Sequence, residues 1–241
     1  VRARLSAMEI RVAPDALAAA ADAAEWIAGK LRLALRRRGK AALAVSGGTT
    51  PALMFTALVA LDLQWPDVTV WQVDERIAPD RSPDRNASLL AVFDEVGAKV
   101  RLMPVGNADL IAAAHRYADG LPARFDVVHL GLGDDGHTAS WLPADPVIDV
   151  VEPVALSGQY HGTRRMTLTP RVVNGARHRL VLAIGASKAV AMRRWLLRNS
   201  ALPIDRLHRS GTVVVLDASA ASDSAMARPM MSLPPPGGYG M

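Results

Sequence analysis

Apolar positions along the chain alternate between helical spacing and short continuous runs. They recur near the helical period at Leu17, Ala20, Ala24, Ile27, Leu31 and Leu35, with Pro14 and Asp15 ahead of them and Gly39 behind. That pattern, opened by a proline and closed by a glycine, predicts a long first helix. Ala41 to Val45 then reads as a buried strand, and further strands are predicted at Val68 to Val73, Lys99 to Pro104, Phe125 to Leu130, Arg179 to Ile184 and Thr212 to Leu216. Helical stretches at Pro51 to Leu61, Ser88 to Val96, Ala108 to Tyr117 and Lys188 to Leu197 fall between most of them. Short buried strands separated by helices predict an α/β fold with a mostly parallel sheet covered by helices on both faces.

In such sheets ligands bind beyond the carboxyl ends of the strands, where loops and helix N-termini gather. The polar motifs of this chain follow strands as that rule requires. Ser46-Gly47-Gly48-Thr49-Thr50-Pro51 follows the first predicted strand, Asp74-Glu75-Arg76 the second, Gly131 to Ser140 the fourth and Gly185-Ala186-Ser187-Lys188 the fifth. The first motif has the properties of an anion cradle, with glycines that let backbone approach a ligand and a helix start whose amides face outward. It also reads as a strand-to-helix turn capped by Thr49 or Thr50. Asp74-Glu75-Arg76 is either part of a site or a surface ion pair of small energetic value. Lys188 opens a helix, where a cation opposes the dipole, and an anionic ligand would account for it.

Gly131, Gly133 and Gly136 spell G-x-G-x-x-G, the dinucleotide fingerprint. That motif needs its third glycine to open a long helix and an acid about 20 positions later. Here Pro143 and Pro146 leave no room for the helix, and the next suitable acid, Glu152, lies in an extended run before Pro153. What remains is Asp135-Gly136-His137, a carboxylate and an imidazole two positions apart in one turn. His129, inside an apolar strand, reads as a packed residue.

Composition narrows the chemistry. The 241 residues include no cysteine, which removes disulfides, thiolate catalysis and cysteine zinc sites. No other histidine stands at ligand spacing near His137, so neither a metal nor a cofactor is expected. No apolar run approaches the ~20 residues of a membrane span and no signal-like segment is visible, so a cytoplasmic protein without membrane attachment is expected. The net charge of +5 is modest, and Arg36-Arg37-Arg38 suits the last turn of a helix. With three Phe and three Tyr there is little to stack bases, so an anionic small molecule fits better than nucleic acid. Residues 1–219 are expected to form one α/β domain, and 220–241, ending in a Pro/Gly/Met-rich run, a disordered tail.

The ordered set Ser46 to Pro51, Asp74-Glu75-Arg76, Gly131 to Ser140, Arg165-Met166-Thr167-Leu168-Thr169 and Gly185 to Lys188 resembles the glucosamine-6-phosphate isomerase/6-phosphogluconolactonase family, over about residues 8–219. The resemblance implies a Rossmann-like α/β fold of the sugar-phosphate isomerase/lactonase type. It also implies hydrolysis of 6-phospho-D-glucono-1,5-lactone in the pentose phosphate pathway. Within the family, deaminases place a glutamate five residues after the histidine, where this chain has Leu142, and the Thr138-Ala139-Ser140 continuation is similar to the lactonases. A deaminase-like isomerase and a sugar-phosphate sensor without catalysis are the alternatives. Trp141-Leu142-Pro143 stands where Leu-Phe-Pro is usual, and Arg85-Asn86 where Ser-Asn is common; Arg85 either adds charge near the sugar or faces water.

By the same resemblance the phosphate is held by Ser46, Gly47, Gly48, Thr49 and Thr50 with Arg76, Arg165 and Lys188. Asp74 holds either Arg76 or a sugar hydroxyl. His137 is expected to act as general base on the attacking water and then to protonate the departing ring oxygen, with Asp135 orienting the imidazole.

Overall fold

The computed structural model describes residues 8–198 and 201–222. In chain order its elements are β1 (Glu9–Ala13), α1 (Ala16–Arg38), β2 (Ala41–Val45), α2 (Thr49–Val59), β3 (Val68–Gln72), β4 (Asp74–Arg76), α3 (Ala91–Glu95), β5 (Lys99–Arg101), α4 (Leu110–Asp119), β6 (Val127–Leu130), β7 (Val154–Leu156), β8 (Arg165–Leu168), α5 (Pro170–Gly175), β9 (His178–Ala183), α6 (Ala189–Leu197), β10 (Thr212–Asp217) and α7 (Ala218–Ala221). Seven strands form one sheet in the order β1-β10-β9-β6-β2-β3-β5, and every pairing in it is parallel. A second, antiparallel sheet of β4, β8 and β7 sits beside it.

The apolar strands are buried on both faces, and alternate residues feed two separate cores. Leu43, Val45, Val70, Leu180 and Leu182 face α1, α2 and α3, while Ala44, Trp71, Val181 and Ala183 face α4, α6 and α7. This explains why the strands read as continuous apolar runs.

Asp15 caps α1 by accepting the Ala18 amide at 2.8 Å, and Gly39 closes the helix in the left-handed conformation. The buried stripe of α1 is drawn largely by alanines, among them Ala19, Ala20, Ala23 and Ala24. Leu17, expected on that stripe, is 69% exposed, because it lies in the first turn to one side of the alanine face. Of the basic cluster, Arg38 also pairs with the nearly buried Asp126, which in turn accepts the Ala42 amide at the start of β2.

Four strands escaped the sequence pattern: β1, β4, β7 and β8. Three of these make up the small sheet, in runs of three or four residues too short to show a period. The packed chain also runs past the expected boundary at residue 219, since Asp217 caps α7 and both Ala220 and Ala221 are buried. The tail expected beyond it, from residue 223 onward, lies outside the described residues. Among the described residues no helix is long and apolar enough to cross a membrane.

Candidate active site

A cleft of about 210 Å³ opens at the carboxyl ends of β2, β3, β6 and β9. Its lining includes Ser46, Gly47, Gly48 and Thr50 from the first motif, Asp74 and Arg76 from the second, His137 from the glycine-rich turn, Arg165 and Lys188. One concavity therefore gathers residues from all five motifs. Asp135 stands behind His137, and Thr49 contributes the first residue of α2, its side chain lying outside the described set.

The glycine-rich turn is organised around the Asp135–His137 pair. Oδ1 of Asp135 accepts the His137 backbone amide at 3.0 Å and lies 2.6 Å from Nδ1 of the ring. No helix follows Gly136, as the prolines require. The space beside two of the turn's glycines is taken by the protein itself rather than left to a ligand. A side chain at Gly133 would overlap His137 and Asp135, and one at Gly136 would overlap Leu202. In the first motif likewise, Asn86 fills the space beside Gly47, while Gly48, at φ +119°, supplies the backbone conformation that opens α2.

Asp135 is drawn two ways: its burial favours the neutral form, but hydrogen bonds from Tyr160 and the His137 amide, with the nearby imidazole, bring its carboxyl below the usual range. Tyr160 donates its hydroxyl to Oδ2 of Asp135 at 2.7 Å. Burial, and then the hydrogen bond to Asp135, push that phenol up to about 12. Neither Tyr160 nor its bond was visible in the sequence, since the two residues are 25 positions apart and no motif links them.

The same cleft is lined by three cations, Arg76, Arg165 and Lys188. Arg76 and Arg165 are direct cross-strand partners in the antiparallel β4–β8 ladder, where like charges repel. Burial lowers the Arg165 pKa, Asp74 offsets this, and Arg76 lowers it further. Arg165 is 7% exposed and its buried Nε has no hydrogen-bond partner, nor has the buried Ser46 hydroxyl. Among the described residues Arg76, Arg165 and Lys188 form no ion pair. Three cations that form no ion pair, with two buried polar atoms lacking hydrogen-bond partners, suit a dianionic ligand.

Asp74 does not pair with Arg76; its Oδ2 instead accepts the Ser140 hydroxyl at 2.7 Å. Glu75 faces away from the cleft and is fully buried. It accepts the amides of Arg76, Asn86 and Ala87 and the Gln72 side chain, all within 2.9 Å, and so locks β4 to the turn that carries Asn86. Asp74-Glu75-Arg76 is thus no surface ion pair. Arg85 neither lines the cleft nor faces water: it is 9% exposed, bonded to Asp80, with its Nε 3.8 Å from Glu75. His129 is fully buried without a hydrogen bond to either ring nitrogen, and burial drives its pKa down to about 3. Among the described residues no three His, Asp or Glu side chains converge to hold a metal ion.

The profile of a family described as glucosamine-6-phosphate isomerases/6-phosphogluconolactonase matches residues 14–215. The chain belongs to this family. A 6-phosphogluconolactonase of Mesorhizobium japonicum is 38% identical over 170 residues, covering 65% of this chain and 71% of its own length. A crystal structure of a 6-phosphogluconolactonase from Shewanella baltica superposes with a TM-score of 0.80 at 28% identity, covering 89% of this chain and 99% of that one. The structure of a monomeric glucosamine-6-phosphate deaminase shares the fold, with a TM-score of 0.74 at 21% identity over 90% of this chain and 100% of that one. Fold alone therefore does not separate the two activities of the family, and the side chains around His137 must. Leu142, where the resemblance leads one to look for a deaminase glutamate, is 2% exposed, part of the protein interior and absent from the cleft lining.

Proposed function

We propose that this chain hydrolyses 6-phospho-D-glucono-1,5-lactone to 6-phospho-D-gluconate in the oxidative pentose phosphate pathway. The observation that carries the reading is a carboxylate-bound histidine in one small cleft with three cations that form no ion pair among the described residues. With Nδ1–H donated to Asp135, the neutral imidazole presents Nε2 as its basic nitrogen. Nε2 takes a proton from a water as its oxygen attacks the lactone carbonyl. Collapse of the tetrahedral intermediate breaks the bond to the ring oxygen, which receives that proton back from His137. The Asp135 carboxylate stabilises the imidazolium between the two transfers.

Arg165, Arg76 and Lys188, with the Ser46 hydroxyl and the amides that open α2, hold the phosphate at the far end of the substrate. Binding energy spent there fixes the carbonyl against His137. The steps use side chains and water only. We place the reaction in the cytoplasm, since its doubly charged substrate does not cross membranes unaided.

The test supplies freshly made lactone and follows its loss above the spontaneous rate, with glucosamine 6-phosphate and ammonia detection in parallel. Lactone loss without ammonia is expected, and ammonia release without lactone hydrolysis refutes the reading. His137→Ala lowers kcat by about 10²- to 10⁴-fold. Lys188→Ala acts mainly on KM, and equal small effects from both refute the assigned roles.

A further inference from the structure

The geometry points to Tyr160 as a positioning residue that fixes Asp135 and limits how strongly it holds the proton of His137. Tyr160 sits outside the cleft lining, so it acts through Asp135 rather than on the substrate. The two oxygens of Asp135 divide their work: Oδ1 meets the ring and amide of His137, and Oδ2 receives the Tyr160 hydroxyl at 2.7 Å. A carboxylate anchored at both oxygens cannot rotate away from the imidazole. The phenolic donor also draws charge from the carboxylate, so the imidazolium is stabilised less than by an unbridged aspartate.

The chain builds this contact with some care. Tyr160 and Thr163 exchange both backbone hydrogen bonds, at 3.0 and 3.2 Å, across the two-residue turn His161-Gly162. Both central residues have positive φ, +50° and +77°, the pattern of the tight turn that joins antiparallel strands. His161 packs on the Tyr160 ring at 4.1 Å, and the ring meets His137 edge-on at 5.4 Å. The Arg165 guanidinium lies 5.1 Å from the same ring's centroid, a cation–π distance. One ring thus touches both the base and an arginine of the anion pocket, and connects two halves of the site.

The charged and titratable groups around His137 are Asp134 and Asp135 on its own turn, Tyr160 and Arg165 from the β7–β8 hairpin, Asp74 and Arg76 on β4, and Lys188 ahead of α6. Among the described residues, only Tyr160 and the His137 amide donate hydrogen bonds to Asp135 besides the imidazole itself. Removing the phenolic hydroxyl therefore leaves Oδ2 without a donor among the described residues and makes the carboxylate the stronger acceptor. The imidazole then holds its proton more firmly, and the neutral base is lost at a higher pH.

Tyr160→Phe keeps the ring against His137 and Arg165 and deletes only the hydroxyl. Two measurements apply. Histidine-resolved NMR of the substrate-free protein follows the His137 ring against pH, and the pH profile of kcat/KM is recorded with the lactone. Both midpoints on the acid side are expected to rise by about half a pH unit, roughly three-fold in proton affinity, while KM at neutral pH changes less than kcat. Profiles that superpose on those of the unmodified protein overturn the proposal, and leave Tyr160 a packing residue. The kinetic arm rests on the lactonase reading and the NMR arm does not. A protein without lactonase activity whose His137 midpoint still rises in Tyr160→Phe refutes the function and supports the positioning role.

Discussion

Gly133→Ala places one methyl group against the reacting pair. Built on the existing backbone, that carbon overlaps Nδ1 and Cε1 of His137 and lies 2.6 Å from Oδ1 of Asp135. Non-bonded atoms need about 3.5 Å, so the imidazole and the carboxylate must together shift by about 1 Å. Gly133 does not have a positive φ, so the backbone accepts alanine without strain and the side-chain overlap is the whole perturbation. A misplacement of about 1 Å costs on the order of 10² in rate, and overpacking costs about 1–3 kcal/mol of stability. None of the three atoms nearest that methyl belongs to a cation of the cleft. Steady-state kinetics with fresh lactone should show kcat reduced about 100-fold with KM within about three-fold of its starting value, the signature of an interaction lost in the transition state. Gly29→Ala, whose methyl meets nothing within 4 Å on the exposed side of α1, is the control. A folded Gly133→Ala protein that keeps a third or more of kcat would show that His137 is not held where the mechanism needs it.

Two further outcomes follow from buried residues. His129→Leu removes an imidazole whose folded pKa is depressed to about 3. The unfolded chain takes up that proton near the ordinary value of about 6.5, so the stability of the parent protein is full above that pH and falls as pH drops toward 3. At pH 5 the loss is about 2 kcal/mol, and urea titrations at pH 7 and pH 5 should show it in the parent and not in the variant; equal losses in both refute it. Leu142→Glu places a carboxyl group in the interior rather than in the cleft, so it should lower Tm by several degrees and release no ammonia from glucosamine 6-phosphate. Ammonia release by this variant would mean that position 142 reaches the substrate.

Most of the larger sheet was legible because its central strands carry apolar residues on both faces and alternate with helices of recognisable length, whereas the edge strand β1 was missed. β2, β3, β6, β9 and β10 all lie where apolar runs placed them, and the polar motifs lie at their carboxyl ends. The small sheet was not legible. Asp74-Glu75-Arg76 has no apolar residue to mark a strand, and its pairing partner Arg165 to Leu168 lies about ninety positions later. The site divides along the same line. Residues within a motif, such as Asp135 and His137, were found from spacing. Partners joined only through the fold were missed: Ser140 to Asp74, Tyr160 to Asp135 and Asn86 beside Gly47. Arg85 was misplaced for the same reason, because its acidic partners Asp80 and Glu75 gather around it only after β4 and the following turn have folded.

The pairing of β1 with β10 has a consequence for how the protein is made. Glu9 aligns with Val213 and Ala13 with Asp217, so the first strand emerges from the ribosome about two hundred residues before the strand it lies beside. β10 bonds β9 on its other edge, and among the described residues β1 has no second neighbour in the sheet. The five strands from β2 to β9 in the large sheet can assemble during synthesis, while β1 waits as an unpaired edge open to wrong partners. Its seating closes the longest strand-to-strand loop among the described residues and belongs among the last steps of folding, where a holding chaperone or a slow elongation rate would have the most effect on yield.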